Sequence, residues 1–233
     1  MPALKTWTGL SLSNRLVDLQ HNANIIPLSD NLAEAKYGTF AWDEHWSKLN
    51  GDDEIVWGPD PHLTELGKSQ ARAIHAEWAN EVSAGIPQPH KKYCSPLRRA
   101  LDTCDFIFEG HPGDFLVVEN CREENGVHTC DKRSSRSDIQ KYKPHFAIEA
   151  GLTEEDLLWH PTIRETKPEV AERARKVLDF IFKTDTGSDD VFISITAHGG
   201  FINGFLTTLG RTPYPLPTGG VIPLLVKAIP ETV

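Results

Sequence analysis

The sequence predicts an α/β fold, a three-layer αβα sandwich in which helices cover both faces of a mostly parallel sheet. Three observations carry this expectation. Short apolar runs at Lys91–Ser95, Phe115–Val118 and Val191–Ile195 alternate with longer stretches of helical periodicity. Two of these runs pass directly into a helix, through Ser95-Pro96 and through His198-Gly199-Gly200. The chain has 233 residues, 39% of them hydrophobic, enough for one domain with a substantial core.

The elements follow in order. Leu16–Leu19 reads as a short strand. Leu32–Lys48 carries scattered aromatics and predicts a helix with an irregular excursion. A helix starts at Thr64, whose hydroxyl can cap it; Leu66, Ala71, Ile74, Trp78 and Val82 recur at near-helical spacing, and Gly85 and Pro87 end it. Lys91–Ser95 predicts a strand, followed by a helix through Ala100, Cys104 and Ile107 up to Gly110. Phe115–Val118 predicts the next strand. The stretch Cys121–Tyr142 is charged, with too little apolar material to read as core. Val170, Ala174, Val177, Leu178 and Ile181 mark an amphipathic helix. Val191–Ile195 is a buried strand, and a helix follows through Phe205 to Leu209. Val221–Ile229 is the last strand, and Pro223 within it suits a sheet edge. Repeated βα units imply parallel pairing. Residues 1–233 are expected to form a single domain, with irregular segments 32–61 and 127–159 over the pocket.

The formal charge of −9 argues against nucleic acid as a partner, because such surfaces need net positive patches. A phosphorylated small molecule remains compatible, since a pocket needs only a few arginines. No apolar run approaches the ~20 residues that span a bilayer, so no membrane partner is expected. The first residues lack the pattern of a signal peptide, which makes cytoplasmic location, or nuclear, the expectation. Cys94, Cys104, Cys121 and Cys130 form no CxxC pair and read as free, partly buried thiols rather than a zinc site.

Three segments carry chemistry. In Ile193–Phe201 an apolar strand ends at His198 and two glycines open a helix, which sets an imidazole beside free helix N–H groups. A histidine packed at a turn is an equally weighted reading of that segment alone. In Cys94–Thr103 arginines occupy a first helical turn, where the dipole disfavours cations unless an anion binds there. Arg98 reads as solvated; Arg99 is the candidate. In Asn120–Gly126 a carboxylate at a strand end could protonate a leaving oxygen if its pKa is raised, although acidic loop residues are more often merely solvated.

Together these segments resemble the histidine phosphatase superfamily. Ser95–Thr103 (SPLRRALDT) is similar to its S-P-L-x-R-A-x-x-T motif, Leu63–Ala71 (LTELGKSQA) to its L-T-x-x-G-x-x-Q-A helix start, and Thr196–Gly200 (TAHGG) to its T/S-H-G-G motif. Ala33–Thr39, Gly126–Arg133 and Pro215–Pro223 resemble a fungal phosphoglycerate-mutase-like branch. The resemblance implies a phosphoglycerate-mutase-like fold and phosphoryl transfer through a histidine, with no cofactor and no metal required. It implies that Arg99 binds the phosphoryl group, with Gly199 and Asn31 as further phosphate contacts. His198 would be the second pocket histidine, and Glu123 the proton donor, to be told apart from Glu124. The partner would be a small phosphorylated substrate.

The family's R-H-G motif is missing. Its nearest counterpart is Gln20-His21-Asn22, with His21 as candidate nucleophile. Three readings compete: His21 acts in a weakened pocket, the chain binds an anion without catalysis, or an incorrect exon join has replaced the nucleophile's segment. A phosphatase or phosphomutase leads; a pseudoenzyme and a repurposed enzyme acting on an unphosphorylated substrate are the alternatives. Trp42, Trp46 and Trp57 could wall the pocket, though packing is the commoner role for such aromatics. Lys132, Arg133 and Arg136 could meet an anionic substrate tail, or form a solvated basic loop.

Overall fold

A computed structural model describes residues 13–21, 36–184 and 190–228. The strands are β1 (Ser13–His21), β2 (Lys91–Cys94), β3 (Asp114–Val117), β4 (Ala147–Ile148), β5 (Asp190–Ala197) and β6 (Val221–Ala228). They form one sheet in the order β4-β3-β2-β5-β1-β6. All neighbours are parallel except β6, which runs antiparallel along β1 at the edge, as Pro223 suggested. The helices are α1 (Thr39–Glu44), α2 (Glu65–Ser83), α3 (Arg98–Ile107), α4 (Arg136–Tyr142), α5 (Lys167–Thr184) and α6 (Gly199–Thr208).

Period-2 alternation along the strands sorts the core into two layers. On one face Tyr93, Ile193, Ile195 and Ala197 pack against Ala174, Val177, Leu178 and Ile181 of α5 and Phe201 and Phe205 of α6. On the other, Cys94 and Val117 meet Ala100, Leu101, Cys104 and Ile107 of α3 and Trp78 of α2. The three-layer sandwich is therefore the observed fold. Thr64 caps α2 as expected, its Oγ1 accepting the Gly67 N–H at 2.9 Å. The cap of α3 comes from elsewhere in the chain. Buried Asp60 accepts the Arg98 N–H at 2.8 Å through Oδ1, and its Oδ2 accepts from the Ser134 N–H and hydroxyl.

The segment after β3 departs from expectation. Low in apolar residues, it is nevertheless buried, because ion pairs replace hydrophobic contacts. Arg122 is 0% exposed and forms a two-pronged pair with Asp156 at 2.6 and 2.7 Å. Arg133 is buried as well, bound by Glu119 and by the carbonyls of Thr153 and Glu155. Arg133 is thus neither a solvated loop residue nor available to a substrate tail; its donors hold segment 153–155 against segment 119–133. Buried pairs of this kind fix geometry more than they add stability. Trp42 and Trp57 are buried and pack edge to face, the commoner of their two expected roles.

Candidate functional site

The site lies at the C-terminal ends of β2, β3 and β5, where open parallel sheets bind ligands. Each strand hands its side chain over by a tight transition. β5 ends at Ala197, and His198 stays extended at φ −133° before α6 begins at Gly199. β2 ends at Cys94, Ser95 follows, and Arg99 lies in the first turn of α3. β3 runs into a short 3-10 turn (Glu119–Cys121), and Glu123 follows it.

Arg99 and His198, separated by 99 residues in sequence, meet. Arg99 Nε donates to His198 Nδ1 at 3.3 Å. Since a guanidinium N–H can only donate, Nδ1 must be the unprotonated nitrogen, and Nε2–H donates to Ser95 Oγ at 2.8 Å. Both residues are almost wholly buried. The other arms of Arg99 bond the Cys130 carbonyl and Asp131 Oδ1, each at 2.7 Å. Burial opposes the Arg99 charge, but Asp131, Cys130 and Glu123 together outweigh it and shift the guanidinium further up.

Asp131 joins two arginines, its Oδ2 accepting from Arg164 at 2.9 Å. Burial alone would raise its pKa, yet Arg99 and Arg164 together hold it below the usual carboxylate range. Arg164 also donates to the Glu124 and Gly126 carbonyls. Gly126 is required there: its φ is +86°, and a Cβ would lie 1.8 Å from the Ile163 carbonyl oxygen.

Glu123 Oε2 accepts the Gly200 N–H of α6 at 3.2 Å. Burial pushes the Glu123 carboxyl above its ordinary range. The charges of Asp131 and Glu124 add to this, while Arg99 and the Gly200 N–H pull it back. The neighbouring Glu124 instead pairs with Lys167, so the two adjacent carboxyls are told apart by their surroundings. Gly200 permits the arrangement, because a Cβ there would lie 2.1 Å from Glu123 Oε1.

Of the residues singled out in the sequence, the structure brings Arg99, His198 and Glu123 into one cluster, with Gly199 opening the helix beside it. His21 ends β1 and is in register with Ala197, one residue short of His198. Asn31 lies outside the described residues. Sequence reasoning missed Ser95, Asp131, Arg164 and Asp60 as parts of the assembly. Ser95 and Asp131 stand within recognised motifs, but no spacing rule assigns their partners. Asp60 carries no local signal.

Residues 28–218 match the model of the histidine phosphatase superfamily (branch 1); the match begins after β1. A probable phosphoglycerate mutase of Arthroderma benhamiae is 45% identical over 203 residues, covering 84% of this chain and 59% of that protein. Phosphomutase-like protein 3 of Candida albicans is 33% identical, covering 84% and 61%. The chain thus spans about three fifths of the length of these relatives. Among solved structures, mycobacterial hydrolase 1 superposes with a TM-score of 0.56 at 22% identity over 91% of both chains. A mycobacterial glucosyl-3-phosphoglycerate phosphatase bound to VO3 superposes at 0.53 with 18% identity, over 94% of this chain and 100% of that one. These two show likeness of fold.

Proposed function

The chain belongs to the histidine phosphatase superfamily (branch 1), and from that premise we propose that it is a phosphatase, or phosphomutase, acting through a phosphohistidine on a small phosphorylated metabolite. The observation that carries this reading is the meeting of Arg99 with His198 at 3.3 Å beside a carboxyl whose pKa is raised. Arg99 and His198 supply donors for negative charge on a transferring phosphoryl group, which would replace some of their present bonds to Cys130, Asp131 and Ser95.

In the first step an imidazole nitrogen, which we assign to His21, forms a bond to phosphorus while the bond from phosphorus to the ester oxygen breaks. Glu123, whose carboxyl is shifted upward by its surroundings, is the group we assign to give a proton to the departing oxygen. In the second step water attacks phosphorus, its proton passes to Glu123, and the nitrogen–phosphorus bond breaks to release inorganic phosphate. A mutase would return the phosphoryl group to a second hydroxyl instead. Covalent catalysis of this kind replaces one difficult displacement with two easier ones.

The test is phosphate release, or isomerisation, over a panel of phosphorylated metabolites, with His198→Ala and Arg99→Ala as controls. Turnover above both controls is expected, together with an acid-labile phosphoenzyme lost in His21→Ala. Turnover no faster than in His198→Ala sinks the enzymatic reading.

One observation favours a second reading, a binder of anionic ligands without turnover. β1 ends in Gln20-His21 with no arginine, and His21 is in register with Ala197 rather than His198. That reading predicts stabilisation by phosphate or vanadate, lost in Arg99→Ala, with no product formed.

A further inference from the structure

Beside the Arg99 cluster, and sharing Asp131 with it, stand two side chains that the phosphoryl-transfer reading does not use, those of His128 and Cys130. The turn Thr129–Asp131 and the residue before it place a ring nitrogen of His128, Sγ of Cys130 and a carboxylate oxygen of Asp131 within 4.8 Å of one another. An imidazole, a thiol and a carboxylate are the donor types of a zinc-class site with an open fourth position. Cys130 and Asp131 are buried, and His128 is partly exposed.

The backbone of this turn is pinned from several directions. Trp159 Nε1 donates to the His128 carbonyl at 2.8 Å, Arg99 to the Cys130 carbonyl at 2.7 Å, and Arg122 to the Asp131 carbonyl at 2.7 Å. The donor atoms therefore converge on a preformed scaffold rather than on a floppy loop, which reduces the ordering needed when a cation binds. In tetrahedral zinc sites donor atoms lie about 3.3–3.7 Å apart, a closure that side-chain rotation on a fixed backbone can supply. Among the described residues neither ring nitrogen of His128 makes a hydrogen bond; its ring contact is with Trp42 at 6.2 Å.

Charge sets the terms. Arg99 and Arg164 stand against a cation here, both bonded to Asp131. Against them, Asp131, Asp43 and Glu124 act favourably on the charge of His128, and Glu123 lies close by. A bound thiolate would add one more negative charge. The thiolate and imidazole also choose the metal: they suit zinc-class ions and not magnesium, which prefers oxygen.

We propose that His128, Cys130 and Asp131 form an inhibitory site for a thiophilic divalent cation, coupled to the phosphoryl pocket because the cation takes from Arg99 a share of Asp131. The inhibitory half rests on the phosphoryl-transfer reading; the binding half does not. On binding, the Cys130 sulfur forms a bond to the cation and releases its proton to solvent. The Asp131 oxygen that becomes a ligand gives up part of its hold on the guanidinium, and Arg99 is left more dependent on its Cys130 and His198 contacts.

Cobalt(II), added to the whole chain under reducing conditions, is the probe, read by its thiolate-to-metal charge-transfer band. One equivalent should give the band, Cys104→Ser should keep it, and Cys130→Ser and His128→Gln should weaken binding on the order of 100-fold. Should Cys130→Ser fail to fold by circular dichroism, His128→Gln at a partly exposed position still decides. No band, or a band indifferent to both substitutions, overturns the site. Coupling is read separately: zinc should inhibit turnover reversibly with EDTA in the native chain, and should inhibit Cys130→Ser far less. A band without inhibition overturns the coupling. If the native chain has no turnover at all, zinc should instead abolish stabilisation by vanadate. An intact band with no turnover would then count against the enzymatic reading and leave the cation site standing.

Discussion

Asp131→Asn tests the architecture most directly, since this one carboxylate spans two guanidiniums. Its Oδ1 accepts from Arg99 at 2.7 Å and its Oδ2 from Arg164 at 2.9 Å. The Arg99 and Asp131 side chains are 3% and 4% exposed. Removing one partner of a pair so buried typically destabilises by about 3–5 kcal/mol, because the remaining charge is stranded without solvent. Asparagine keeps one acceptor oxygen, and Arg164 is 29% exposed and screened, so its share is small. The expected loss is therefore at the low end, about 3 kcal/mol. It should appear in urea titration as a lower midpoint with an unchanged slope. Activity should fall as well, by about 100-fold in kcat/KM, if losing Asp131 displaces Arg99 by roughly 1 Å. A third readout separates the electrostatics from packing. Asp131 is one of the charges that raise the Glu123 pKa, so removing it should lower that pKa and move the Glu123-dependent limb of the pH profile to lower pH. Exposed Asp53 supplies the control through Asp53→Asn. Stability within about 1 kcal/mol of native, with Arg99-dependent phosphate binding unchanged, would refute the assigned role of the pair.

Three further outcomes are expected. Gly200→Ala places a Cβ where Glu123 Oε1 now sits, so activity should drop by about 100-fold or more while helix propensity leaves stability equal or slightly higher; a parallel loss of both would contradict the steric account. Lys92 is 0% exposed between the Phe108 and Phe115 rings, hydrogen-bonded to the Pro112 carbonyl, and burial lowers its pKa below the ordinary 10.5. The unfolded chain therefore binds this proton more tightly, so native stability should rise as pH climbs from the folded pKa to the unfolded one, and Lys92→Met should flatten that rise, as chemical denaturation across alkaline pH would reveal. All four cysteines are buried, so a thiol reagent should count no fast-reacting sulfhydryl in the native protein and four after denaturation; fast labelling of Cys121, whose pKa burial raises, would contradict its placement.

What the sequence by itself determined was the local and the periodic. Thr64 with the apolar spacing after it specified α2, a short apolar run marked β5, and Pro223 marked an edge strand, because each depends on contacts within a few residues. Family motifs brought forward Arg99, His198 and Glu123 before any geometry was available. Tertiary structure alone decided what those residues meet. Asp60 caps a helix 38 residues further on, Asp131 bridges Arg99 to Arg164, and Arg122 is buried against Asp156. No sequence rule points to such pairs, since charge in a loop predicts solvation. The physical reason is that an ion pair leaves water only when both partners and their remaining hydrogen bonds arrive together, a condition set by the packing of distant segments.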